Sequence, residues 1–166
     1  MRKLILGAVL ALILPATAAA APKEPTPADV ARAACKTEKH GMGTQAFKTL
    51  YQAKSTSKAM AACIAKAAPV AEQEQENAAQ ACKAERDADP EAFAEAHGTN
   101  KNGKNAFGKC VSKRAKAATQ DEAEDRVNAA KTCKALKRDE PDEFEQTYGT
   151  RKNAFGKCVS ATARAD

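Results

Sequence analysis

One block of residues occurs twice in this chain with its internal order kept. Residues 77–82 read Asn-Ala-Ala-Gln-Ala-Cys and are followed by Asp89-Pro90-Glu91-Ala92-Phe93, by Gly98-Thr99 and by Lys104-Asn105-Ala106-Phe107-Gly108-Lys109-Cys110-Val111-Ser112. Residues 128–133 read Asn-Ala-Ala-Lys-Thr-Cys and are followed by Glu140-Pro141-Asp142-Glu143-Phe144, by Gly149-Thr150 and by Lys152-Asn153-Ala154-Phe155-Gly156-Lys157-Cys158-Val159-Ser160. A more diverged version precedes both, with Cys35, Phe47, Tyr51, Met60 and Cys63 at the corresponding places. Self-similarity of this kind means that the chain is assembled from like units, each too small to bury a full core alone. Every unit owns two Cys, 28, 28 and 25 positions apart.

The first twenty residues stand outside this pattern. Arg2 and Lys3 precede an apolar run from Leu4 to Leu14, then Pro15 and the small residues Ala16 to Ala20. A basic start, a short apolar stretch and a small-residue end are the layout of a secretory signal peptide, with cleavage expected after Ala20 or Ala21. Eleven apolar residues are too few to cross a bilayer, which takes about 20. The reading is therefore a signal peptide over 1–20, a diverged unit over 21–70 (segment 1), and two closely related units over 71–118 (segment 2) and 119–166 (segment 3). The protein is expected to be secreted or held in the cell envelope, with no membrane span in the mature chain.

From Ala21 onward only 13 residues are Leu, Ile, Val or Phe, against 34 Ala. So few large apolar side chains normally leave a chain disordered. Six Cys in an exported chain supply the missing constraint, because disulfides persist outside the cytosol and compensate for small cores. The chain as a whole carries a formal charge of +6, which falls to +4 without Arg2 and Lys3. That balance favours weak attraction to acidic polymers.

Propensity and punctuation predict an all-α fold. The stretches around Cys35, Cys82 and Cys133 are rich in Ala, Lys, Glu and Gln and form the first helix of each unit. Asp89 is a suitable N-cap with Pro90 at the first helical position, and Gly98 a suitable left-handed terminus, which gives a short second helix carrying Phe93 and His97 one turn apart. Pro141 and Gly149 play the same parts in segment 3, with Glu140 the poorer cap; in segment 1 Gly43 and Thr44 replace the Asp-Pro pair. Asn105 and Asn153 are expected to cap a third helix bearing Phe and Cys on one face. From Asn105 to Arg138 only Gly108 interrupts, so one helix of roughly 50 Å is expected there at about 1.5 Å per residue. Pro69 is expected to interrupt and bend the first junction.

These elements predict an elongated row of three disulfide-stapled helical hairpins, with little contact between the outer two. Small residues beside Cys82 let helix backbones approach within the roughly 7 Å that a disulfide requires. Of the 15 pairings open to six Cys, the symmetry of the units selects Cys35–Cys63, Cys82–Cys110 and Cys133–Cys158.

Chemistry is sparse by comparison. Zinc sites favour close Cys pairs, which are missing here, and only His40 and His97 could add ligands; the Lys39-His40-Gly41-Met42 stretch offers an imidazole and a thioether to copper. Neither a C-x-x-C redox pair nor a nucleophile, base and orienter set occurs, so no enzyme and no cofactor is expected. Nucleic-acid recognition is disfavoured because the few aromatics sit at core positions. The informative feature is a basic loop: Lys101, Lys104 and Lys109 in segment 2, and Arg151, Lys152 and Lys157 in segment 3, surround the start of the third helix, where exposed N–H groups and the helix dipole favour anions. Segment 1 lacks the block, having Met60-Ala61-Ala62-Cys63 instead.

The Asn-Ala-Phe-Gly-Lys-Cys-Val-Ser blocks at 105–112 and 153–160 resemble repeats in uncharacterised exported proteins of actinobacterial type. The resemblance covers about half of the mature chain; it implies export and repetition and implies no catalytic residue. The expected function is a non-enzymatic binding or structural module that meets anionic envelope or extracellular polymers, or a cell-surface protein, through its basic loops. An exported metal-binding protein using Cys, His and Met ligands is the alternative.

Overall fold

The computed structural model describes residues 25–164. The expected signal peptide and both cleavage positions lie outside the described residues. Within them the chain is all-helical: α1 (Pro27–Met42), α2 (Thr44–Leu50), α3 (Thr56–Ala88), α4 (Pro90–His97), α5 (Ala106–Asp139), α6 (Pro141–Tyr148) and α7 (Ala154–Thr162).

Local chemistry accounts for most of the boundaries. Thr26 and Asp29 form a reciprocal capping box at the start of α1, with Pro27 at its first position. Asp89 caps α4 by accepting from the Ala92 N–H at 3.0 Å, whereas Glu140 gives α6 no side-chain cap. Gly149 ends α6 at φ +86°. Gly98 departs from expectation, with φ −72°. It is needed for closeness instead, since a Cβ there would stand 2.3 Å from the Ala94 carbonyl oxygen.

Two further expectations are corrected. Asn105 and Asn153 occupy the N-cap positions of α5 and α7, but neither side chain caps its helix. Asn105 is drawn into its own loop, where its Oδ1 accepts from the Thr99 N–H at 3.1 Å and its Nδ2 donates to Thr99 Oγ1 at 2.6 Å. Pro69 does not interrupt the first junction, because α3 runs through it for 33 residues. A proline leaves the carbonyl four positions back without its helical donor. That residue is Ala65, which is exposed, so water can serve its carbonyl, while Ala67 and Ala71 on either side of Pro69 are buried and hold the helix in place.

The three disulfides are Cys35–Cys63, Cys82–Cys110 and Cys133–Cys158, each within one segment, with Cα–Cα distances of 6.0, 6.1 and 6.0 Å. All six Cys are buried. Each segment also holds a ring pair one helical turn apart: Phe47 with Tyr51, Phe93 with His97, and Phe144 with Tyr148, at centroid separations of 4.9, 4.8 and 5.3 Å.

The outer segments do not stand apart. α3 has 33 residues and α5 has 34, so the two are matched in length at about 50 Å. The Cys82–Cys110 bridge joins the end of α3 to the start of α5, and α5 then returns antiparallel to α3 and delivers segment 3 beside segment 1. Val30, Ala31, Cys35, Phe47 and Cys63 therefore share one core with Val127, Ala130, Cys133, Phe144 and Cys158. Segment 2 is left at the turn with a small cluster of Cys82, Phe93, Ala106 and Cys110.

Candidate functional site: a basic groove along the seam

The seam between segments 1 and 3 rests on Ala and Gly. Ala31, Ala59 and Ala130 are wholly buried, and a Cβ placed on Gly41 would lie 2.7 Å from Val127 Cγ1. Lys134 crosses the seam, its Nζ donating to the Met42 carbonyl at 2.8 Å. A cation at that point satisfies one of the carbonyls left open at the end of α1.

At the seam's heart is a carboxylate that sequence reasoning passed over. Glu38 is 1% exposed. Tyr51 Oη donates to its Oε2 at 2.6 Å and Arg126 Nη1, from 88 residues away, to its Oε1 at 3.0 Å. Burial pushes the Glu38 carboxyl above the ordinary glutamate value, opposed by the Tyr51 hydrogen bond and the Arg126 charge. Burial and then the neighbouring carboxylate push the Tyr51 hydroxyl up as well. Burial works against the Arg126 charge, but Glu38, Tyr51 and Glu122 together outweigh it and hold the guanidinium above its usual value. The signal was present in the self-alignment. Cys35-Lys-Thr-Glu38 and Cys82-Lys-Ala-Glu85 carry Glu three positions after Cys, and Cys133-Lys-Ala-Leu136 does not.

Segment 2 answers this arrangement with a different ring. Glu85 meets His97 Nε2 at 2.9 Å and accepts from Arg114 Nη2 at 2.7 Å. The His97 hydrogen bond, with help from Arg114, holds the Glu85 carboxyl below its ordinary value. Cys110 Sγ lies close by, but it is bonded to Cys82 and offers no thiolate.

The groove itself, of about 530 Å³, opens along the seam at the segment 1–segment 3 end. Segment 1 contributes Lys48 from α2 and Lys54 from the connection to α3; segment 3 contributes Lys137 from the last turn of α5, and Arg151 and Lys152 from the loop before α7. Glu145 is the one carboxylate among the lining residues. Phe144 and Phe155 form the floor, and Lys137 Nζ stands 5.7 Å from the Phe144 ring centre. Gln52, on the same wall, takes a left-handed φ of +50°, which turns the connection carrying Lys54.

The expected basic residues thus divide. Arg151 and Lys152 line the groove, whereas Lys157 is exposed on α7 outside it. Lys101 and Lys104 are exposed on the segment 2 loop and Lys109 on the first turn of α5, at the opposite end of that helix. That loop engages its own backbone: the Lys104 N–H donates to Asn102 Oδ1 at 3.2 Å and the Thr99 N–H to Asn105. Segment 1, which lacks the Asn-Ala-Phe-Gly block, nonetheless supplies two of the groove's cations. Nothing in its sequence pointed to Lys48 or Lys54, because their role depends on the return of α5.

The proposed metal ligands are dispersed. The six sulfurs are tied up in pairs; His40 is exposed, while Met42 is buried in the shared core. No helix among the described residues is long and apolar enough to cross a membrane. Comparison with family models, with curated proteins and with solved structures gives no match.

Proposed function

We propose that the protein is an exported, non-enzymatic binding module for anionic polymers, and that the groove between segments 1 and 3 is where they bind. The observation that carries this reading is the convergence of Lys48 and Lys54 with Lys137, Arg151 and Lys152 around one opening that holds a single carboxylate. Cations from two separate segments, fixed on helix ends and short connections, raise the local potential beyond what scattered surface lysines do. Three buried disulfides suit an oxidising compartment. The Glu38, Tyr51 and Arg126 groups bond to one another inside the seam, which supports a structural part for them.

Retention on an immobilised polyanion such as heparin or polyphosphate tests the proposal. The native chain is expected to bind at low salt and to elute as rising salt screens the contact. The fourfold variant Lys48→Glu, Lys54→Glu, Arg151→Glu and Lys152→Glu is expected to pass through unretained with its helical signal intact. Equal retention of native chain and variant would sink the reading.

A further inference from the structure

A second cavity, of about 400 Å³, opens along the same seam and is lined by a different set of residues. Its apolar wall is Leu50, Val70, Val159 and Ala163. Charges of both signs line the same cavity: Lys66 and Arg164 on one hand, Glu122 and Asp125 on the other. Among the described residues Asp125 and Arg164 form no ion pair, and Lys66 lies 5.7 Å from the Tyr51 ring centre.

Two wall groups are fixed in place from behind. Arg126 and Tyr51 both line this cavity, and both are bonded to the buried carboxylate of Glu38, at 3.0 and 2.6 Å. Arg126 gives Nη1 to Glu38, and its Nη2 stands 3.9 Å from Glu122, beyond hydrogen-bond distance, so the guanidinium keeps N–H donors for another partner, and groups oriented before a ligand arrives lower the cost of binding. A polyanion suits this cavity poorly, since Glu122 and Asp125 would repel it. A single cation is met by Lys66, Arg126 and Arg164. A recess with one apolar wall and side chains of both signs among its lining residues matches a small molecule that has both signs itself.

We propose that this cavity binds a free α-amino acid with an apolar side chain, its carboxylate taken by Arg126 and Lys66, its ammonium by Asp125 and Glu122, and its side chain by the Leu50, Val70, Val159 and Ala163 wall. This site is separate from the polyanion groove and does not depend on it.

Titration of the intact disulfide-bonded chain with L-valine, L-leucine and L-methionine, followed by NMR shifts and by calorimetry, is the test. Leucine is expected to bind saturably and to shift the Val70 and Val159 methyl signals. Leucinamide, which lacks the carboxylate, and 4-methylpentanoate, which lacks the ammonium, are each expected to bind at least tenfold more weakly. Lys66 and Asp125 are both exposed, so Lys66→Gln and Asp125→Asn leave the fold intact. Asp125→Asn is expected to weaken leucine about tenfold and leave 4-methylpentanoate unchanged, and Lys66→Gln to weaken leucine and spare leucinamide. Absence of saturable binding by all three amino acids at millimolar concentration would overturn the proposal, as would binding that ignores both substitutions or that is equally strong for the two truncated analogues.

Discussion

Arg126 of α5 reaches Glu38 of α1 at 3.0 Å, across 88 residues of sequence, and the carboxylate it meets is sealed inside the seam that makes segments 1 and 3 one body. Breaking a buried pair by removing one partner strands the other charge, at a cost of about 3–5 kcal/mol. Arg126→Ala is therefore expected to lose about 3 kcal/mol in urea unfolding. Replacing both members by apolar residues of similar size, Glu38→Leu with Arg126→Met, is expected to recover most of that loss, because no charge is then left buried.

Glu38 and Glu85 are expected to give opposite responses to acid. The folded state raises the Glu38 pKa, so its contribution is fully present below the ordinary glutamate value and is lost as pH rises through the raised one. The folded state depresses the Glu85 pKa, so its contribution is present above the ordinary value and is lost as pH falls through the depressed one. Thermal midpoints from pH 3 to 7 check this. The advantage of the native chain over Glu38→Gln is expected to grow on acidification, and its advantage over Glu85→Gln to shrink.

Gly41 and Val127 report on the closeness of α1 and α5. Gly→Ala inside a helix normally stabilises by up to about 1 kcal/mol. Here the new methyl would meet the stiff Val127 side chain, buried at 6% exposure, at 2.7 Å. Overpacking of this kind costs about 1–3 kcal/mol. Gly41→Ala is expected to destabilise, and Val127→Ala to relieve that clash in the double variant, a coupling that a double-mutant cycle on unfolding free energies measures directly.

Segment 2 depends most on its bridge. Its core cluster is Cys82, Phe93, Ala106 and Cys110, with Phe107 and Val111 packed against it, and closing a loop of 28 residues is worth about 3–4 kcal/mol on the chain-entropy account. Cys82→Ala with Cys110→Ala is expected to let α4 and the 98–105 loop exchange their amide hydrogens freely while α1 and α7 stay protected. Hydrogen exchange read by mass spectrometry separates this from global unfolding.

What the sequence made legible was local or symmetric. Asp89 with Pro90, Pro141 with Gly149, the unbroken run into α5 and the three Cys pairs all follow from residue chemistry or from the likeness of the units. The return of segment 3 onto segment 1 was hidden because it depends on differences between those units. Val127 and Leu136 occupy the places of Glu76 and Glu85, so the face that packs on α1 is apolar in segment 3 and charged in segment 2. Gly41 gives no sign of its close contact until α5 lies against it. Asn105 fits the N-cap preference, yet Thr99 offers its side chain two bonds within the loop, and the loop contact wins. The basic groove was half legible: Arg151 and Lys152 stood out in a basic loop, whereas Lys48 and Lys54 acquire meaning only through the fold.

One anionic ligand is expected to engage segments 1 and 3 together. Lysine footprinting by acylation and mass spectrometry, with and without bound polyphosphate, reads this out residue by residue. Protection of Lys48, Lys54, Lys137 and Lys152 together, with Lys101, Lys104 and Lys109 still reactive, is the predicted result. Protection confined to the segment 2 loop, or spread evenly over all exposed lysines, would contradict it.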